Sequence, residues 1–493
     1  MIKWKQWTAA LSASVCLLAA FWLPADAAGV WHSYTYANNG DVVFSPDIYE
    51  VEQVAYGARF AEEALVGSQD MCFDTAGDLY ILDAENKSVI ITDADLKLKK
   101  HITAFTKDGA DSPLLNPTGI FVDRQKRIYI CDGGNRRIVR ADSNGTIDLE
   151  ILKPEADYFP EGVEFIPKKL IMDSAGNMYV SAIGISDGMV MFDPSGEFIG
   201  FYGSPKVAST LELLTDYFWR QFMTEEQKET MANYVPPEVA NFCITGDDFI
   251  VTITNSYWNT DGLTKVDMDE ISMLNPKGID VLEFDTGKNP GKAISEDAKR
   301  LNFVAVCTDT DGFMSFVDNR QGKIYQFDQR MNLIAAFGAI GSQDGTFQQP
   351  VAIATHDKKL YVLDGENGSV TVFRLTEYGR TIHHAISVYS TEKQSEVIGP
   401  WQEVLKLNAN YDLAYVGIGD VLLNQGDYRG AMEYFELGND SSRYNAAFKQ
   451  MRLIFLRENL LVILIVIVLL VAAVKVLRVL WRKRISRRKE HKE

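Results

Sequence analysis

The sequence predicts a mainly β fold: a six-bladed β-propeller followed by a short α-helical repeat and one transmembrane helix. Three observations predict it. Six segments between residues 70 and 375 share the same order of short strands and tight turns; the hydrophobic period shifts from two to about 3.6 after residue 377; and residues 460–474 are apolar without a break.

The repeat is clearest at NPTGIFVDRQKRIYICDGGNRRIVRADSNG, residues 116–145. Here Ile120 and Val122, Ile128 and Ile130, and Ile138 and Val139 are β-rich runs separated by the turn-formers RQK and DGGN, the pattern of an antiparallel meander. Companion segments begin at Asp70, Lys169, Val304 and Pro350, with a weaker copy at Phe242. Asp83 and Asp132 are 49 residues apart and Asp318 and Asp364 are 46 apart, while the intervals around the fourth copy are longer and must carry insertions. Four-stranded units of this period stack radially into a propeller. Only three strands remain for the last unit before the helical pattern begins, so residues 47–57, DIYEVEQVAYG, are expected to supply its outer strand and close the ring.

The run Pro-x-Gly-Ile-x-Val-Asp, then Ile-Tyr-Ile-x-Asp-x-x-Asn-x-Arg-Ile, from Pro117 to Ile138, resembles the NHL repeat. The third and fourth copies lack its Asp-x-x-Asn turn. The resemblance implies a six-bladed propeller; as to activity it implies only a range, since propellers of this kind include lyases, lactonase-like enzymes and binding modules.

The two ends bear on location. Residues 1–27 combine Lys3 and Lys5, an apolar run from Ala9 to Leu23 and an Ala25-Asp26-Ala27 ending, which predicts a signal peptide cleaved after Ala27, with an uncleaved anchor as the alternative. Residues 453–481 are expected to span a membrane, and the basic tail 482–493 to stay in the cytoplasm, giving an N-out, C-in single-pass protein of a bacterial cell membrane. The whole chain carries net −18. Residues 475–493 hold net +7 and residues 1–27 net +1, so −26 remains on residues 28–474. Such an acidic exported part argues against nucleic acid as a partner. Cys72, Cys243 and Cys307 occupy one repeat position in three blades, too far apart for disulfides; with Cys131 they read as buried thiols, which suits a bacterial envelope.

Within residues 377–452, Gly419, Leu422, Gly426, Tyr428, Ala431 and Phe435 resemble the tetratricopeptide signature, with small residues where two helices touch and Gly at the turn. A shift of 34 residues reaches Ala385, Val388, Glu392, Gln394, Val397 and Trp401, a degenerate earlier copy. So few repeats cannot bury their faces alone and imply a docking partner.

Candidate binding residues gather on the face that carries the second-to-third-strand turns and the loops between blades. The insertion 205–239 has capping-box spacings at Ser209 with Glu212 and Thr224 with Gln227, which predict a helical hairpin bearing Tyr217, Trp219 and Phe222. Tyr257 and Trp258 are expected in the fourth blade's turn, NSYWNTDG, and Asn135 and Arg136 in the second's. The aromatic residues suit a sugar ring or a protein partner, or else they seat the hairpin on the propeller. Asp83, Asp132, Asp318 and Asp364 form either a cation-binding ring or turns that bond their own backbone.

Nothing in the spacing marks catalysis. His32, His101, His356, His383 and His384 are dispersed, and neither a metal set nor a nucleophile–base pair stands out, so no cofactor or metal is expected. The predicted function is a membrane-anchored extracytoplasmic binding or scaffold protein. Its propeller would recognise an envelope protein or a carbohydrate-type ligand and its helices a second partner, accessory to a carbohydrate-uptake or envelope-sensing system. The alternative is a metal-dependent hydrolase or lactonase-like propeller enzyme.

Overall fold

The structure, a computed structural model, describes the chain apart from residues 1–30, 39, 60–63, 158, 161, 204–232, 261–262, 285–300, 392–397 and 491–493. Six sheets, each built on four antiparallel strands, form blades around one axis. Their innermost strands are Ser68–Phe73 in blade 1, Pro117–Val122 in blade 2, Pro167–Met172 in blade 3, Asn233–Ile244 in blade 4, Phe303–Thr308 in blade 5 and Pro350–His356 in blade 6. Each packs beside the innermost strands of its two neighbours, and blade 6 meets blade 1, so the ring is closed.

Blade 6 contributes three consecutive strands of its own, and its outer strand is Tyr49–Tyr56, antiparallel to Ser369–Leu375. The chain thus closes the toroid with a segment that precedes blade 1, and no bare sheet edge is left at that seam.

Burial follows radial position. The second strands Leu79–Asp83, Ile128–Asp132, Met178–Ala182 and Met314–Asp318 are buried at every residue because both faces of an inner strand pair meet neighbouring blades. The outermost strand of blade 1, Leu98–Ile102, is largely exposed and reads LKKHI. Apolar side chains from adjacent blades form shared clusters, as where Leu82, Val89 and Ile91 of blade 1 meet Ile120, Ile130 and Val139 of blade 2. The glycine of the Pro-x-Gly motif has a packing reason: a Cβ on Gly119 would lie 2.4 Å from the Lys168 carbonyl oxygen of blade 3. The blades approach one another there at backbone distance.

Two expectations need correction. Residues 233–239 of the predicted helical insertion belong to the first strand of blade 4, Asn233–Ile244, whose ladder with Ile250–Thr260 begins at Asn233 opposite Asn259. Tyr257 and Trp258 are not in a turn either: they pair with Val235 and Tyr234 on one side and with Val266 and Lys265 on the other. Alternating Val, Thr, Tyr and Trp residues favour continuing the ladder over an early reversal, and the strand runs on to Thr260, which pairs with Leu263. A further addition lies on blade 5, where the strands Tyr34–Tyr36 and Val42–Phe44 extend the sheet to six strands.

The chain divides into two compact units, residues 1–36 with 42–380, and residues 37–41 with 381–493. The helices are α1 (Glu377–Thr391), α2 (Ile398–Leu407), α3 (Asp412–Gln425), α4 (Tyr428–Leu437) and α5 (Ser441–Glu490). Helix α3 ends on Gly426, which takes a left-handed φ of 83°, and α4 starts on Asp427, whose carboxylate accepts the Gly430 N–H at 2.9 Å. Gly419 lets the helices close, since a Cβ there would sit 2.6 Å from the Phe435 ring. Phe435 and Ala431 are fully buried with Val416 and Ala447, and Leu422 packs against them. Over Ser441–Trp481 α5 is long and apolar enough to cross a membrane, with mean hydropathy 3.4 in its most apolar window and none of that window buried.

Candidate functional site

The residues predicted for binding do not converge into one described site. Tyr217, Trp219 and Phe222 lie outside the described residues. Tyr257 and Trp258 stand on a strand, and Asn135 and Arg136 belong to the turn of blade 2. There Asn135 Nδ2 donates to Asp132 at 2.7 Å and to the Pro113 carbonyl at 3.1 Å, so its side chain fastens the turn to the incoming loop. Arg136, left-handed at φ 56°, pairs with Glu164 of blade 3 at 2.9 Å.

The carboxylates on this face serve the same purpose. Asp132 accepts from Leu115 N at 2.7 Å and from Arg137 Nε at 2.8 Å, and Arg137 also reaches Glu150 at 2.9 Å. Asp364 accepts four backbone N–H groups, from Gln348, Gln349, Glu366 and Asn367. Asp83 takes Val66 N and Asn86 Nδ2, and Asp318 takes Asn302 N and Arg320 N. Each carboxylate bolts a blade's second strand to the loop that enters its first. Burial pushes the Asp83 and Asp318 carboxyls up, and the hydrogen bonds oppose it. Among the described residues no group of three His, Cys, Asp or Glu side chains is placed to hold a metal ion.

An ion pair joins two non-adjacent blades at the inner wall of the ring. Lys169 Nζ of blade 3 lies 3.0 Å from Asp70 Oδ1 of blade 1, and Asp70 Oδ2 accepts the Ile120 N–H of blade 2 at 3.1 Å. The contact thus reaches from blade 3 to blade 1 past the inner strand of blade 2. Burial pushes the thiols of Cys72, Cys131, Cys243 and Cys307 up, Cys243 to about 12, and the Lys169 ammonium acts against that rise at all four, as its central position requires. All four cysteines are free thiols; Cys131 and Cys307 are buried, Cys72 and Cys243 half-buried.

The open cavity lies at the other end of the channel. It measures about 510 Å³ and is formed by the first-to-second-strand turns of blades 1 to 4, with Phe73, Phe121 and Met172 among its walls. A repeated local device builds these turns: an Asp whose Oδ1 accepts the N–H groups two and four residues on, followed at the third position by a left-handed residue. Asp74 accepts from Ala76 N and Asp78 N at 2.8 and 2.9 Å, Asp123 from Gln125 N and Arg127 N, and Asp173 from Ala175 N and Asn177 N. Gly77, Lys126 and Gly176 supply the positive φ. Blade 4 puts Thr245 in the Asp position and Asp248 in the left-handed one, and Asp248 accepts from both Ser174 N, at 2.9 Å, and Ser174 Oγ. This turn is a type I hairpin loop with a left-handed fourth residue, and its D-x-x-G spacing in DTAGD, DSAGN and DTDGF is visible in the sequence.

No family model matches the chain, and no curated protein matches it. Among solved structures the chain is similar to a streptogramin B lyase, at 11% identity over 66% of this chain and 98% of that one, with a TM-score of 0.41. It is also similar to virginiamycin B lyase from Staphylococcus aureus, at 13% identity over 66% of this chain and all of that one, with a TM-score of 0.40. A gluconolactonase from Xanthomonas campestris gives 14% identity over 67% of this chain and 97% of that one, with a TM-score of 0.38.

The cavity's charges are arranged in pairs. Burial pushes the Asp74 carboxyl up, but Lys126, 2.9 Å away, and the two turn N–H groups outweigh it and hold the group below the usual carboxylate range. Asp123 binds Arg127 Nε at 2.6 Å. Arg124, on the rim, is exposed and makes no hydrogen bond or ion pair among the described residues. The arrangement offers a half-apolar floor and a rim of donors and acceptors, which is the chemistry of a recognition pocket.

In the helical unit, Tyr389 Oη donates to Asp420 at 2.8 Å, and Arg443 reaches Asp420 at 3.2 Å and Asp440 at 2.7 Å. These bonds join α1, α3 and the first turn of the long helix α5.

Proposed function

We propose that the protein is a single-pass, membrane-anchored binding protein of the bacterial envelope. The propeller stands outside the membrane, recognising an envelope protein or a carbohydrate-type ligand, and helices α1 to α4, read as TPR-like, dock a second partner. The N-terminal segment directs export, α5 crosses the membrane, and the basic tail stays in the cytoplasm. A setting in carbohydrate uptake or envelope sensing accords with this layout.

The observation that carries the binding reading is the axis itself. Lys169 and Asp70 pair with each other beside it, and the turn carboxylates of Asp132 and Asp364 are taken up by loop N–H groups and, at Asp132, by Arg137. Both arrangements fix structure and leave recognition to the open surfaces.

Cross-linked pull-down of the full chain from envelope extract tests this, combined with protease protection of the tail in intact cells. The expected result is a reproducible partner or co-purifying ligand and a protected C-terminus. Stoichiometric divalent metal in the purified protein, with ester or lactone hydrolysis that a chelator abolishes, would replace the proposal with the hydrolase alternative.

A further inference from the structure

We infer that the 510 Å³ cavity on the first-to-second-strand face binds a neutral polyhydroxy ligand, a saccharide of one or two rings. This rests on the binding reading above and gives it a location and a ligand class, on the face opposite the one that the sequence singled out. The volume falls in the roughly 300–1,000 Å³ range of small-molecule pockets.

Charge selects the class. Asp74 and Asp123 are buried in their turns, so Asp173 and Asp248 are the carboxylates that face any anion, while Arg124 and Arg127 face any cation with two guanidinium groups. Hydroxyl groups both donate and accept, so a polyol satisfies the two sets together. The Arg124 guanidinium, the Thr75 hydroxyl and the Gln125 side-chain NH2 donate to no group among the described residues and are free to bond vicinal hydroxyls. The two accessible carboxylates are already ordered, Asp173 by the N–H groups of Ala175 and Asn177 and Asp248 by that of Ser174, so they offer remaining lone pairs at little entropic cost.

The floor supplies the apolar half. Phe73 is held by His356, stacked at 4.9 Å with 22° between the planes, and by Tyr361 edge-on at 4.8 Å. An aromatic ring fixed in this way suits the C–H face of a sugar.

Gly246 provides the decisive variant. It lines the cavity, its backbone lies outside the left-handed region, and a Cβ there would meet nothing within 4 Å. A side chain at Gly246 therefore starts in open space, and Gly246→Trp is the variant chosen to occlude the cavity.

The experiment is saturation-transfer NMR and calorimetry on the full chain in detergent. The probes are maltose, cellobiose and xylobiose as neutral ligands, digalacturonate as the anionic one and chitobiosamine as the cationic one. The expected result is binding of at least one neutral disaccharide, weakened about tenfold or more both by Gly246→Trp and by Arg124→Ala. Failure of all three neutral probes, unchanged binding in both variants, or tighter binding of a charged probe overturns the inference. A pull-down partner retained in a protein that binds none of the sugars leaves the proposed envelope role standing and removes only this one.

Discussion

The two ends of the propeller channel use the same residue in different ways. At the end with the second-to-third-strand turns, Asp83, Asp132, Asp318 and Asp364 are at most 1% exposed, and each ties separate chain segments together. At the other end, Asp74, Asp123 and Asp173 open hairpin turns and accept N–H groups from those same turns only, and with Asp248 they border a cavity. Asp recurs at a fixed position in either case because short carboxylates organise turns. The sequence distance of the N–H groups accepted separates a staple from a local turn, whereas burial alone does not, since Asp74 and Asp123 are buried too.

The largest effect that separates the two ends is expected from Asp132→Ala. It removes the acceptor of Leu115 N and one of the two carboxylates that hold the buried Arg137. Breaking one side of such a buried pair costs about 3 kcal/mol. Asp142→Ala, at an exposed outer turn whose bonds are all local, should stay within about 1 kcal/mol of the parent. Urea denaturation measures both, and equal losses would erase the distinction.

A smaller contrast lies within the cavity end itself. Gly145 sits at φ 82°, and a Cβ there would lie 2.2 Å from the Ala104 carbonyl oxygen. Gly145→Ala should cost about 2 kcal/mol through combined strain and clash. Gly246→Ala should change stability by less than about 0.5 kcal/mol, since its Cβ enters open space. Matching melting curves for the two variants would show that the Gly246 side is as closely packed as the Gly145 turn.

How much of this was legible in the sequence differs by level. The six blades could be read from Pro117 to Ile138 and its copies because blade strands are short, continuous hydrophobic runs between turn-formers, a local signal. The cavity could not be read, although its D-x-x-G turns stand plainly at Asp74 and Asp173, because which turns converge on the axis depends on the closed ring. The aromatic residues Tyr257 and Trp258 misled for a related reason. NSYWNTDG has turn-like composition, yet the ladder partners that keep it extended, Asn233 to Val235, lie more than twenty residues upstream. The pair of Asp70 and Lys169 was likewise hidden, since 99 residues separate two side chains that meet only once blades 1 to 3 stand side by side.

The smallest expected effect, and the one of opposite sign, is at Asp309 in the inner turn of blade 5. Burial pushes this carboxyl up to about 6; the neighbouring Asp311 adds to the rise, while the N–H groups of Phe313 and Asp311 and the Lys358 ammonium oppose it. Its ordinary value is near 4, so the fold favours the protonated form. The stabilisation from that preference is complete below about pH 4 and is lost as pH rises through about 6. At pH 7.5 the fold therefore carries a charged group that it would rather hold neutral. Asp309→Asn keeps an oxygen for the N–H groups of Asp311 and Phe313 and has no charge to lose. It should raise stability at pH 7.5 by about 1 kcal/mol, a figure reduced for the group's partial exposure to solvent. The gain should shrink to nothing as pH falls to 4. Asp132→Asn should destabilise throughout that range, because Arg137 then loses a charge partner. Thermal unfolding of both variants between pH 4 and 8 decides the matter: a pH-independent gain at Asp309, or a loss there, would mean that this turn is a staple like those at the opposite end.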